Sequence, residues 1–227
     1  MQGPVYLFSI VCLSSLPIWI TYLYIKRRNP QLNSWLFLVA LGAGALSMLL
    51  GSILQVFMPV LSSGSPISLL YTIFLRNAFS EEAGRFAVFW ILLYIASKTM
   101  AGSRTYSRET VIYVGVLAGF SFAMLETLSY GLLDIQLVLI RTLTSAPLHA
   151  ACAARVGLAI FLFAKNQPEN NTSHRVSRAL FYGISAVLIH GVYNLLLLFP
   201  STLAILSIIL AYVALGSALA HAKMDRP

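Results

Sequence analysis

Residues 34–60 read SWLFLVALGAGALSMLLGSILQVFMPV, 27 positions without one Asp, Glu, Lys, Arg or His. About 20 apolar residues, rising ~1.5 Å each in a helix, cross the ~30 Å hydrocarbon core of a bilayer. The stretch therefore reads as a membrane span. Six further apolar runs flank it, at 4–25, 69–97, 110–133, 136–164, 177–199 and 201–221. The whole chain of 227 residues is 59% hydrophobic and 10% charged, with a mean hydropathy of +0.82. A soluble domain carries about 25% charged residues, so a soluble globular fold, a disordered chain and a disulfide scaffold are excluded. The runs are continuous rather than alternating, which selects helices over a membrane barrel. The expectation is an all-α, polytopic membrane helix bundle of seven transmembrane helices, folded as a single integral-membrane domain over 1–227.

The basic residues set an orientation. Lys26, Arg27 and Arg28 follow the first run and act as a stop-transfer signal, so that run is a span and not a cleaved signal peptide. Lys98, Arg104 and Arg108 follow the third run, Lys165, Arg175 and Arg178 follow or flank the fifth, and Lys223 and Arg226 lie in the tail. The alternate linkers, 61–68, 134–135 and 200, hold no Lys or Arg. The positive-inside rule then places the N-terminus outside and the C-terminus in the cytoplasm. The net charge of +8 sits in short clusters between apolar runs, the pattern of loops at an anionic membrane face; no nucleic-acid partner is expected. The sequons at Asn170 and Asn171 fall in a cytoplasmic loop and read as chance. Cys12 and Cys152 lie in apolar runs and are expected to be small core residues.

Ionisable residues fall deep inside the spans: Arg76, Glu81, Glu82, Arg85, Glu126, Arg141, His149, Arg155 and His190. A charge near a helix centre costs roughly 2.5–3.5 kcal/mol on insertion scales, so such residues face the bundle interior and mark a site or a structural ion pair. Glu81 and Arg85 are four residues apart and share a helix face, as do His190 and Asn194; Glu82 is rotated by roughly 100°. Gly115 and Gly119 form a GxxxG stripe on the face of Glu126, which directs that carboxylate into a helix contact. At ~1.5 Å per residue, Glu81 lies roughly 18 Å from the outer end of its span, Glu126 roughly 10 Å, His190 roughly 14 Å and His149 roughly 20 Å; Asn194 is shallower. One shared cavity in the outer half of the bilayer is the economical reading.

Carboxylates, imidazoles, an amide and an arginine in a dry site suffice for water-activated acyl transfer: a carboxylate as general base, an imidazole and an amide for the developing oxyanion, and Arg85 to hold Glu81. Glu82 reads either as a second working carboxylate or as a partner for Arg76 or Arg155. Glu81, Glu126, His149 and His190 are also zinc-ligand types, but there is no HExxH. No cofactor is expected, with zinc the minor alternative. GxSxG is absent as well. A proton-coupled carrier would often show related halves or broken helices, and neither is evident.

Four motifs in order then carry a resemblance. Glu81-Glu82-Ala83-Gly84-Arg85 resembles the EExx(K/R) signature of the PrsW-type intramembrane proteases, and Phe122-Ala123-Met124-Leu125-Glu126 their FxxxE. His149, in a span with Arg141, resembles their third motif, and His190-Gly191-Val192-Tyr193-Asn194 their HxxxD/N. The likeness covers a core at 75–200. The wider superfamily of CAAX prenyl proteases is similar in the first and last motifs, but its second ends in histidine where this chain has Glu126. The resemblance implies a glutamate protease with Glu81, Glu82, Arg85, Glu126, His149, His190 and Asn194 in its site. Glu81 would activate water, and His190 with Asn194 would hold the oxyanion. It further implies a membrane-anchored protein substrate and the plasma membrane of a prokaryote. The chain is also similar, around Arg85-Phe86-Ala87 and Tyr113-Val114-Gly115, to the anterior-pharynx-defective subunit of γ-secretase. That likeness implies the alternative of a non-catalytic membrane scaffold.

Overall fold

A computed structural model of the chain describes residues 3–30, 32–62, 64–99, 107–132, 134–164, 172–199 and 201–223. Among them every regular element is a helix and no strand occurs. The order is α1 (Pro4–Arg28), α2 (Trp35–Phe57), α3 (Pro66–Leu70), a π-helix (Tyr71–Phe79), α4 (Ser80–Thr99), α5 (Arg108–Gly131), α6 (Ile135–Leu143), α7 (Ser145–Ala164), α8 (Thr172–Leu196) and α9 (Ser201–Lys223). Arg104, Lys165, Arg226, Asn170 and Asn171, and the side chains of Lys98 and Lys223, lie outside the described residues.

Among the described residues six helices are long and apolar enough to cross a membrane: α1, α2, α5, α7, α8 and the Ile205–Ala222 part of α9. The chain is thus an integral, multi-pass membrane protein. The run expected as a span over 69–97 is not among the six. It is divided into α3, the π-helix and α4, and Glu81, Glu82 and Arg85 make the first turns of α4 polar. The single helix expected over 136–164 is broken at Thr144. Pro147 has no N–H to return to Leu143 and its ring crowds the same carbonyl, so α6 cannot run on into α7.

The order of burial follows from side-chain size. Every residue of α7 from Ser145 to Ile160 is buried, and its run of alanines lets α5, α8 and α9 close around it. The two glycines of α5 seat it on α7. A Cβ on Gly115 would lie 2.8 Å from the Ala153 carbonyl oxygen, and one on Gly119 would collide with the His149 carbonyl oxygen. Such close backbone approach is how helices pack where lipid removes the hydrophobic drive. On the other side of α5, Gly44 brings α2 against Ala118 and Ser121, and Ser121 Oγ donates to the Leu41 carbonyl at 2.9 Å. The outer faces of α1, α2, α8 and α9 expose Trp19, Leu49, Phe181 and Val213, side chains suited to acyl chains. Cys152 is a buried core residue as expected; Cys12 instead lies exposed on α1, and both are free thiols.

Candidate active site

Four elements bring their polar residues to one place. The first two turns of α4 supply Glu81, Glu82 and Arg85; α5 supplies Glu126; α7 supplies His149; and α8 supplies His190. The Gly119 contact sets α5 directly on the backbone of His149, and Glu126 lies two turns further along α5. Its Oε2 is 2.9 Å from His149 Nε2 and 2.6 Å from Arg141 Nη2. The expected helix contact at Glu126 is therefore present.

Arg85 is the hub. It was expected to hold Glu81, but it forms an ion pair with Glu82, three residues away, and both side chains are nearly inaccessible, at 1% and 2%. Its Nη2 lies 3.0 Å from His149 Nδ1. Phe122, the first residue of the FxxxE motif, floors this group: its ring centroid is 4.4 Å from the guanidinium carbon and 4.7 Å from the His149 ring. Glu82 turns its Oε1 to His190 Nδ1 at 2.8 Å. Arg76 and Arg155 are not its partners. Arg155 donates instead to the Ala151 and Ala214 carbonyls and to Ser217 Oγ, tying α7 to α9.

These contacts assign the protons. An arginine only donates, so His149 Nδ1 accepts and its Nε2 carries the hydrogen given to Glu126. Glu82 accepts, so His190 Nδ1 carries a hydrogen and its Nε2 is turned to Glu81, 3.7 Å from Oε2. The two imidazoles stand edge to face, 5.1 Å apart.

Charge pairing then separates the three carboxylates. Glu82 has Arg85 and Glu126 has Arg141, whereas no arginine pairs with Glu81 among the described residues. Glu81 Oε1 accepts from Gln55 Nε2 at 3.3 Å, and its Oε2 is buried without a hydrogen-bond partner. Gln55, on α2, lies outside the motif set, and the signal that finds it is only its place as a polar residue near the end of an otherwise apolar span. Arg141 is likewise more than a bystander: it salt-bridges Glu126, donates to Ser145 Oγ at 3.3 Å and stacks 4.3 Å over Tyr130. Asn194 follows His190 by one helical turn and is half-buried. Its neighbour Tyr193 is buried and donates to Thr144 Oγ1 at 2.9 Å, at the break between α6 and α7.

Glu81, His149 and His190 each bring a ligand-type atom within 4.8 Å of the others, the spacing of a possible metal site. Glu81 Oε2 and His190 Nε2 are free to ligate, with Glu82 behind His190 in the manner of a supporting carboxylate. His149 is not free. Both its ring nitrogens are engaged, and with Arg85 donating to Nδ1, a metal on Nε2 would require the imidazolate. The residues as arranged do not fit a Glu/His/His three-ligand centre.

Searches of curated proteins and of solved structures returned no match. The sequence pattern of the PrsW family intramembrane metalloproteases, in contrast, matches residues 32–219, a stretch that takes in α2 as well as every residue of the network around Arg85. The protein belongs to the PrsW family of intramembrane proteases.

Proposed function

We propose that the chain is an intramembrane endopeptidase that hydrolyses a peptide bond of a membrane-anchored protein with water activated by Glu81. The observation that carries this reading is the isolation of Glu81: it is the site carboxylate with no arginine partner, and its Oε2 is unpartnered and 3.7 Å from His190 Nε2. A water held beside that pair would lose a proton to Oε2 as its oxygen attacks the scissile carbonyl carbon. The oxyanion that forms would take hydrogen bonds from the Nε2–H of His190 in its imidazolium form, taken up from solvent before the attack and balanced by Glu82, and from the Asn194 amide. Glu81 would then give its proton to the leaving nitrogen as the C–N bond breaks, releasing an acid and an amine. A general base contributes about 10²–10⁴-fold and one oxyanion donor about 10²–10³-fold.

Glu82, Arg85, His149 and Glu126 act in this reading by position. Glu82 fixes the His190 tautomer, Arg85 fixes that of His149, and His149 fixes Glu126. The family's description implies a metal, but His149 is committed to Arg85 and Glu126, so the work on water falls to Glu81. The broken segment 66–99 completes seven spans with the N-terminus outside, and the site then lies in the outer half of the bilayer, where a substrate would be cut. The likeness to a scaffold subunit has no structural observation behind it.

The test is cleavage of a library of single-span peptides in proteoliposomes, read by mass spectrometry, with wild type and Glu81→Gln. Gln keeps size and hydrogen-bonding capacity but removes the base. Products from the wild type alone are expected; equal products from both would overturn the role of Glu81.

A further inference from the structure

We infer that α2 is part of the catalytic apparatus and that Gln55 is a positioning residue, which selects Oε2 as the oxygen of Glu81 that works on water. The inference rests on the reading of Glu81 as the base. Ser47, Gly51, Gln55 and Met58 are spaced by four, four and three residues, which puts them on one face of α2 and its end. That face is seated on the start of α4. A Cβ on Gly84 would lie 2.6 Å from Gly51 N and 3.0 Å from the Ser47 carbonyl oxygen, and one on Gly51 would lie 3.1 Å from Glu81 Cα. One turn further on, Gln55 Nε2 donates to Glu81 Oε1 at 3.3 Å. Beyond it, Ser80 Oγ donates to Met58 Sδ at 3.3 Å.

The chemistry follows from the geometry. A carboxylate with no arginine to orient it rotates about its last bond and presents either oxygen. The Gln55 amide occupies one of them. Glu81 is thereby held with Oε2 toward His190 Nε2, the partner that positions an oxyanion. An amide is suited to this task because it donates without adding a charge. A lysine or arginine at 55 would pair with Glu81 as Arg141 does with Glu126 and would weaken it as a base. The two glycines are necessary because the amide reaches Glu81 only if the α2 and α4 backbones touch.

The test uses the full chain in proteoliposomes, with Gln55→Met, which keeps length and removes the donor, and Gly51→Ala, which keeps the amide and moves the backbone. Against the single-span peptide that the wild type cuts fastest, Q55M is expected to lower kcat at least 10-fold with KM within twofold, a size typical of supporting partners. The double variant G51A/Q55M is expected to be no worse than Q55M within twofold, since both changes remove one contact. An independent arm measures modification of Glu81 by the membrane-permeant carboxyl reagent dicyclohexylcarbodiimide, read by mass spectrometry. Its rate is expected to rise at least threefold in Q55M, where Oε1 is uncovered. Wild-type kcat and wild-type labelling, both within twofold, would overturn the inference. If Q55M does not fold, G51A carries the same two readouts. If the wild type cuts no peptide, the protease reading fails, while the labelling arm alone still decides whether Gln55 covers Glu81.

Discussion

Arg85 Nη2 lies 3.0 Å from His149 Nδ1 while the same guanidinium holds Glu82. One planar cation thus orders both histidines of the site, His149 by direct contact and His190 through Glu82. A lysine has one compact head group and cannot span two acceptors on different helices in this way.

Arg85→Lys is accordingly expected to behave like a loss and not like a conservative change. Cleavage of the best single-span peptide should fall at least 100-fold in both Arg85→Lys and Arg85→Met. Arg85→Met leaves the buried Glu82 carboxylate with His190 but without its arginine, and breaking a buried ion pair destabilises by about 3–5 kcal/mol; thermal unfolding in detergent measures this. Near-native activity in Arg85→Lys would show that charge alone suffices.

Glu82→Gln retains shape but weakens the anchor on His190. Supporting carboxylates of this kind are worth roughly 10–100-fold, and the loss should appear in kcat with KM unchanged. A residue that itself worked on water would lose far more, as Glu81→Gln should. Comparing the two variants on one peptide separates the roles.

Arg141 and Glu126 are each about one-fifth exposed, so screening limits what their pair contributes to stability to about 1 kcal/mol or less. Arg141→Met should leave the unfolding temperature within a few degrees. It should nonetheless slow cleavage about 10-fold, because Glu126 Oε2 then has His149 as its one fixed partner. Arg141→Lys should recover most of the rate.

Removal of metal tests the engagement of His149. With both ring nitrogens bonded, 1,10-phenanthroline is expected to leave cleavage within twofold, and purified protein should carry less than a tenth of an equivalent of zinc. About one equivalent of zinc, lost together with activity on chelation, would mean that Arg85 leaves the His149 ring in the working enzyme.

Gly84→Ala tests the seating of α2 on α4. The added Cβ meets backbone atoms of Gly51 and Ser47, which cannot rotate away, and overpacking of this kind costs about 1–3 kcal/mol. A fall in unfolding temperature and in kcat together is expected. An unchanged unfolding temperature would show that the helices separate freely.

Most of the membrane character was legible because it depends on local quantities. The charge-free run at 34–60 determines that a helix forms and that it lies in lipid, since an unpaired backbone group cannot exist there. Spacing also placed Glu126 on the glycine face of α5. Three features were not legible. Glu81 and Glu82 are adjacent, and periodicity leaves open which one takes Arg85, because residues three and four apart are both neighbours on a helix. The breaks at Thr144 and at the π-helix arise where a proline or a run of polar residues meets tertiary packing. Gln55 is marked only as a polar residue near the end of an apolar run, and that place does not say which side chain it meets.

The chain's order of residues therefore determined a helical membrane protein and the set of polar side chains its interior must accommodate. The division of labour among them arose only when α2, α4, α5, α7 and α8 packed. Hydrogen bonds run across helices: Arg85 to His149, Glu82 to His190, Gln55 to Glu81. Each depends on how closely two backbones approach, and that distance is a property of the glycines and alanines between them in space, not of their separation along the chain.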